Sequence, residues 1–199
     1  MKKKVSVVGL GYIGLPTAAL LAEAGHEVNG VDIRDDVVRK INNGEAHITE
    51  PELDKLVQSL VKKNMLSASS DLYPSDVFMI CVPTPFSNDK RKPEPNLEHV
   101  LDAAKKITKV VQDGNLIILE STCPVGTTEL VKNVFEQSGA NVENLHFAYC
   151  PERVLPGNII SELLLNDRII GGLSVEDICL LQRTCAPRMY MVVLSHTYN

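Results

Sequence analysis

The stretch Lys4-Val5-Ser6-Val7-Val8-Gly9-Leu10-Gly11-Tyr12-Ile13-Gly14 restricts the folds open to this chain more than any other. Val5, Val7 and Val8 read as a short buried strand, the glycines stand at G-x-G-x-x-G spacing, and residues 15–24 read as a helix. Strand, glycine turn and helix in that order form the context a dinucleotide fingerprint requires. Gly9 permits the tight turn, Gly11 lets the backbone approach a pyrophosphate, and Gly14 lets the helix pack closely on the sheet. The helix N-terminus then offers unpaired N–H groups and a positive dipole end to the phosphates. A second apolar run, 27–31, ends in Asp32. Its distance from the glycines is that of the carboxylate that binds the adenosine ribose. With Asp32 at the strand end the cofactor reads as NAD. Arg34, the residue type that would host the extra phosphate of NADP, reads as a solvated surface charge.

The rest of the chain alternates in the same way. Residues 36–43 read as a short helix, and Glu50-Pro51-Glu52-Leu53 opens another, taken as a plain surface helix because proline suits a first helical turn. The uninterrupted apolar run inside 76–82 reads as a fully buried parallel strand that leaves through Pro83-Thr84-Pro85-Phe86. Ligands of doubly wound sheets lie beyond the carboxyl ends of the strands, which makes Thr84 a candidate contact. Residues 87–96 read as a charged, proline-rich surface loop, 97–111 as an amphipathic helix and 116–119 as the next strand. That strand delivers Thr122 to the same rim, and Thr127 or Thr128 is placed to cap the following helix. Residues 145–149 and 166–172 supply further short strands, separated by Cys150-Pro151-Glu152-Arg153-Val154-Leu155-Pro156-Gly157. On residue pattern alone Glu152 and Arg153 are a solvated ion pair in a turn. The expected architecture is α/β: a Rossmann-like, doubly wound, mostly parallel sheet with helices on both faces.

Charge and cysteine usage narrow the setting. The formal charge of −5 gives no electrostatic reason for a nucleic acid or an anionic membrane as partner. Cys81, Cys123, Cys150, Cys179 and Cys185 form no C-x-x-C pair and no metal-like spacing, so they read as reduced thiols of a cytoplasmic protein, mostly small core residues. Lys2-Lys3-Lys4 before an uncharged run has a superficial likeness to a signal peptide, but Gly9, Gly11, Gly14 and Pro16 break the apolar helix it would need.

Gly9-Leu10-Gly11-Tyr12-Ile13-Gly14-Leu15-Pro16, Val31-Asp32, Val82-Pro83-Thr84-Pro85, Glu120-Ser121-Thr122-x-Pro124-Val125-Gly126 and the 150–157 segment, taken together, resemble the N-terminal domain of the UDP-glucose/GDP-mannose dehydrogenase family. The resemblance is greatest to the branch acting on UDP-N-acetyl-D-mannosamine, on account of Arg153-Val154-Leu155-Pro156-Gly157. It implies NAD-dependent oxidation of carbon 6 of a UDP-sugar to a carboxylate, for surface polysaccharide synthesis. It further implies that Tyr12 and Ile13 contact NAD through the phosphate loop, Asp32 holds the adenosine ribose, and Thr84 and Thr122 touch the rest of the cofactor. Arg153 and Val154 would contact the sugar nucleotide, and Glu152 would act as general base toward water.

Residues 1–184 are expected to form the NAD-binding domain and 185–199 an atypical tail unlike the family's continuation. The family's central helical dimer-forming domain, its C-terminal domain and its Gly-Gly-x-Cys nucleophile have no counterpart here, so none of the cysteines is assigned that role. The expectation is a truncated or frame-shifted chain that carries the cofactor half and lacks turnover. A non-catalytic NAD-binding remnant is the alternative. A hydroxyacid-type dehydrogenase would explain the glycine turn but not the 122–126 and 151–157 stretches.

Overall fold

The computed structural model describes residues 2–87, 93–185 and 191–193. Part of the expected 87–96 loop and most of the 185–199 tail lie outside the described residues. The chain opens with β1 (Lys4–Val8), α1 (Gly14–Glu23), β2 (Glu27–Val31), α2 (Asp35–Asn42), α3 (Leu53–Lys62) and β3 (Leu66–Ser69). It continues through β4 (Val77–Ile80), α4 (Glu98–Ile107), β5 (Leu116–Leu119), α5 (Thr127–Gln137) and β6 (His146–Tyr149). It closes with α6 (Ile159–Leu165), β7 (Arg168–Gly172), α7 (Val175–Cys185) and β8 (Met191–Val193).

The sheet order is β3-β2-β1-β4-β5-β6-β7-β8. Pairs from β3 across to β6 are all parallel, β7 is antiparallel to β6, and β8 is parallel to β7. This is the doubly wound Rossmann order, with its switch point between β1 and β4. The period-two alternation of a strand buried on both faces divides the core. Val5, Val7, Val77, Met79, Leu116 and Ile118 pack on the side of α1 and α3. Val8, Phe78, Ile80, Ile117 and Leu119 pack on the side of α4 and α5, where Phe135 and Phe147 meet edge to face at 5.3 Å. No helix among the described residues is long and apolar enough to cross a membrane.

Two expectations are corrected. Neither Thr127 nor Thr128 caps α5: Gly126, at φ +90°, takes the N-cap position, and the Thr127 hydroxyl donates instead to the Pro124 carbonyl at 2.7 Å. The 50–53 segment is no plain surface start either. Glu50 is 7% exposed and its carboxylate reaches across the fold.

Candidate functional site

The turn between β1 and α1 is built by contacts that only glycine allows. Gly9 has φ +92°, and a Cβ there would come within 2.9 Å of the Cys81 carbonyl oxygen. A Cβ on Gly14 would run into the Gly9 carbonyl, so the turn folds back against its own helix start. Gly11 differs: nothing lies within 4 Å of where its Cβ would project, so the space beside it is open. No side chain caps α1, and its first turn carries no acid. Each other α-helix carries Asp or Glu there. The positive end of α1 is therefore left unneutralised and facing the opening.

Asp32 follows β2 and lies beside this turn. Its Oδ2 accepts from the Leu10 N–H at 3.0 Å and its Oδ1 from the Arg34 N–H at 3.0 Å. These two bonds fix the carboxylate and leave lone pairs for a further donor. Arg34 lies with Nε 4.0 Å from Asp32 Oδ1, its charge answered by the acid. Tyr12 is 53% exposed and Ile13 half-buried at the mouth of the turn. Ile33, 78% exposed, places an apolar face directly after Asp32. Sequence reasoning passed over it, although an apolar residue straight after a strand-ending acid was the available signal.

Across the switch point, Ser121 stitches the ends of β4 and β5 together by donating to the Val82 carbonyl at 2.7 Å. The Thr84 hydroxyl donates to the Thr122 carbonyl at 2.7 Å, leaving Thr84 Oγ1 only acceptor capacity. The Thr122 side chain stands exposed on the rim. Gly9, Gly11, Tyr12, Ile13, Gly14, Asp32, Thr84 and Thr122 thus share one edge, beyond the carboxyl ends of β1, β2, β4 and β5. A fixed carboxylate, a helix start without an acid in its first turn and an open backbone beside Gly11 are groups that fit a dinucleotide.

The segment after β6 brings a second chemistry to the same edge. Glu152 is not in a solvated pair with Arg153. Its Oε1 is buried without a hydrogen-bond partner among the described residues. Burial pushes its carboxyl up from 4.5 to about 7; the Glu120 charge adds to this and the Arg168 guanidinium opposes it. A carboxyl so poised gains or loses a proton near neutrality, as a general base requires. Arg153 is exposed and Val154 half-buried beside it.

Beneath the rim lies an ion pair that sequence pattern did not disclose. Arg168 Nη2 pairs with Glu120 Oε1, both residues being buried, and donates to the Cys150 carbonyl at 3.1 Å. The Cys81 thiol donates to Glu120 Oε2 at 3.0 Å. Burial pushes the Cys123 and Cys150 thiols up to about 11, which keeps both protonated at neutral pH and unfit as nucleophiles.

The raised Glu152 carboxyl has a consequence for stability. The unfolded chain releases this proton near 4.5 and the folded chain near 7, so between those values the folded state holds the extra proton. Its contribution is full below the lower value and is lost as pH rises through the upper one. Urea denaturation of wild type and Glu152→Gln at both ends of that window reads this directly. Wild type is expected to lose more stability on going to the higher pH than the variant, and equal losses would contradict the assignment.

With this geometry established, comparison with known proteins places the chain. The model of the UDP-glucose/GDP-mannose dehydrogenase family, NAD binding domain, matches residues 3–188. The chain belongs to the UDP-glucose/GDP-mannose dehydrogenase family. It is 49% identical over 180 residues to a UDP-N-acetyl-D-mannosamine dehydrogenase of Campylobacter jejuni, a match covering 86% of this chain and 44% of that protein. It is 45% identical over 181 residues to an NDP-N-acetyl-D-galactosaminuronic acid dehydrogenase of Ralstonia nicotianae, covering 86% of this chain and 42% of that one. Among solved structures, the UDP-N-acetylmannosamine dehydrogenase of Pyrococcus horikoshii superposes with a TM-score of 0.89 at 39% identity, over 98% of this chain and 47% of the other. The chain therefore spans less than half the length of these relatives, over the domain that binds NAD.

Proposed function

We propose that this chain is the cofactor half of an NAD-dependent nucleotide-sugar dehydrogenase of the cytoplasm. In this reading it serves the oxidation of carbon 6 of a UDP-N-acetylhexosamine, UDP-N-acetylmannosamine to UDP-N-acetylmannosaminuronate, in surface polysaccharide synthesis. The observation that carries the reading is Glu152, whose unpartnered buried oxygen stands at the end of β6 on the edge that holds the glycine turn. Support for the sugar comes from the C. jejuni and P. horikoshii relatives, both of which act on UDP-N-acetylmannosamine by name.

NAD, when bound, supplies the hydride acceptor. The chain's own residues do the rest of this half of the work. The backbone of Gly9, Gly11, Tyr12, Ile13 and Gly14 receives the pyrophosphate, and Asp32 accepts from the adenosine ribose hydroxyls. Thr84 and Thr122 line the remainder of the cofactor. Arg153 and Val154 hold the sugar nucleotide, and Glu152 takes a proton from water as general base.

A second reading, a non-catalytic NAD-binding module, draws on the thiols. With Cys123 and Cys150 held protonated, the family's nucleophilic cysteine has no counterpart among them. In both readings the chain by itself binds NAD weakly and shows no steady alcohol-to-acid turnover.

Calorimetric titration of the purified chain with NAD, NADP and a panel of UDP-hexoses, beside an NADH-formation assay, tests this. The expected result is binding of NAD over NADP, weak binding of UDP-N-acetylmannosamine that Arg153→Ala abolishes, and no NADH accumulation. Steady conversion of UDP-N-acetylmannosamine would overturn the inactivity. Binding of NAD with no UDP-hexose bound would favour the module.

A further inference from the structure

Glu50 lies between α2 and α3, far in sequence from Arg153 and Val154, and is 7% exposed. A carboxylate so buried is costly unless hydrogen-bonded. Both its oxygens are satisfied, and both by one distant segment. Oε2 accepts from the Gly157 N–H at 2.9 Å and Oε1 from the Ile159 N–H at 2.6 Å, 107 and 109 residues further along the chain. Glu162 holds the same segment from within α6, its Oε2 accepting from the Leu155 N–H at 2.9 Å. The chain reverses here through Gly157, at φ +95°. Two carboxylates therefore fix the backbone directly after Arg153 and Val154. Charge-assisted bonds to two amides at once fix orientation as well as distance.

We infer that Glu50 is a positioning residue for the sugar-nucleotide end of the site: through Gly157 and Ile159 it sets where Arg153 and Val154 stand, without touching cofactor or sugar. The inference rests on the proposal that those two residues contact a UDP-sugar. It also separates the two ends of the site. The phosphate turn is held by its own glycines and by Asp32, and needs nothing from Glu50.

The test compares Glu50→Gln with wild type by calorimetry toward UDP-N-acetylmannosamine and toward NAD, with amide hydrogen exchange resolved by NMR. Glutamine keeps the volume but leaves one of the two N–H groups without an acceptor. The UDP-sugar Kd is expected to rise about tenfold while the NAD Kd stays within about twofold. Exchange at Gly157 and Ile159 is expected to quicken about tenfold, with the amides of β1 and β4 unchanged. Glu50→Asp, which keeps both acceptor oxygens, recovers part of the lost UDP-sugar affinity. Equal weakening toward both ligands, or loss of folding in both variants, would mean that Glu50 supports the fold alone and would overturn the inference. So would faster exchange at the turn with unchanged UDP-sugar affinity. A wild-type chain that binds NAD but no UDP-sugar would instead sink the functional reading on which the inference rests.

Discussion

Gly14→Ala is expected to unfold the entrance of the site rather than merely fill it. The new Cβ would meet the Gly9 carbonyl, a backbone atom that moves only if the turn opens. Gly9 is itself held in place, its N–H donating to the Val31 carbonyl at 2.7 Å. The strain falls on the junction of β1 and α1, in a helix buried along most of its length. Overpacking of this kind costs about 3 kcal/mol, at the upper end of its ordinary range. For a chain of this size that lowers Tm by about 6–12 °C. NAD binding should disappear with it, since the amides meant for the pyrophosphate no longer line one turn. Gly11→Ala provides the contrast. Its Cβ would enter open space, so Tm should move by less than about 2 °C, within the effect of an ordinary surface change. NAD affinity should nevertheless fall, because that space is where the proposed site puts the phosphates. Thermal unfolding and NAD titration of the two variants side by side check this; similar behaviour of the pair would contradict it.

The second large effect belongs to Arg168. Its pairing with buried Glu120 joins the start of β7 to the end of β5, and its bond to the Cys150 carbonyl adds the end of β6. Removing one partner of a buried pair leaves the other charge uncompensated, which costs about 3–5 kcal/mol. Arg168→Met is therefore expected to lower Tm by about 6–20 °C. The double variant Arg168→Met, Glu120→Leu removes both charges and should regain much of that loss, because desolvation of the pair offsets most of its attraction. Denaturation of wild type, single and double variants reads this as a cycle. A single variant as stable as wild type, or a double variant no better than the single, would contradict it.

What could be read from the chain beforehand followed the range over which each signal acts. The glycine turn, Asp32, and the strand at Leu116–Leu119 were legible because spacing and apolar runs are local. β3 was not, since Leu66-Ser67-Ala68-Ser69 interleaves small polar residues and gives no apolar run; it forms because its backbone pairs with β2 at the sheet edge. The cap of α5 was misread because two threonines drew attention from Gly126, whose positive φ suits the position better. Glu50 looked like the opening of a surface helix because Pro51 is a helix-start signal, and its partners stand more than a hundred residues away. Glu152 and Arg153 looked like a solvated pair because they are adjacent, yet the environment of Glu152 is set first by burial and then by the charges of Glu120 and Arg168. The glycine turn and Asp32 are set by local chemistry; the groups that hold and tune the 150–157 segment come from distant parts of the chain.

The most direct test of the whole account is the structure of the chain crystallised with saturating NAD. The account predicts pyrophosphate density against the backbone of residues 9–14, with the adenosine ribose hydroxyls within hydrogen-bonding distance of Asp32. An empty turn, or NAD bound elsewhere on the molecule, would contradict it.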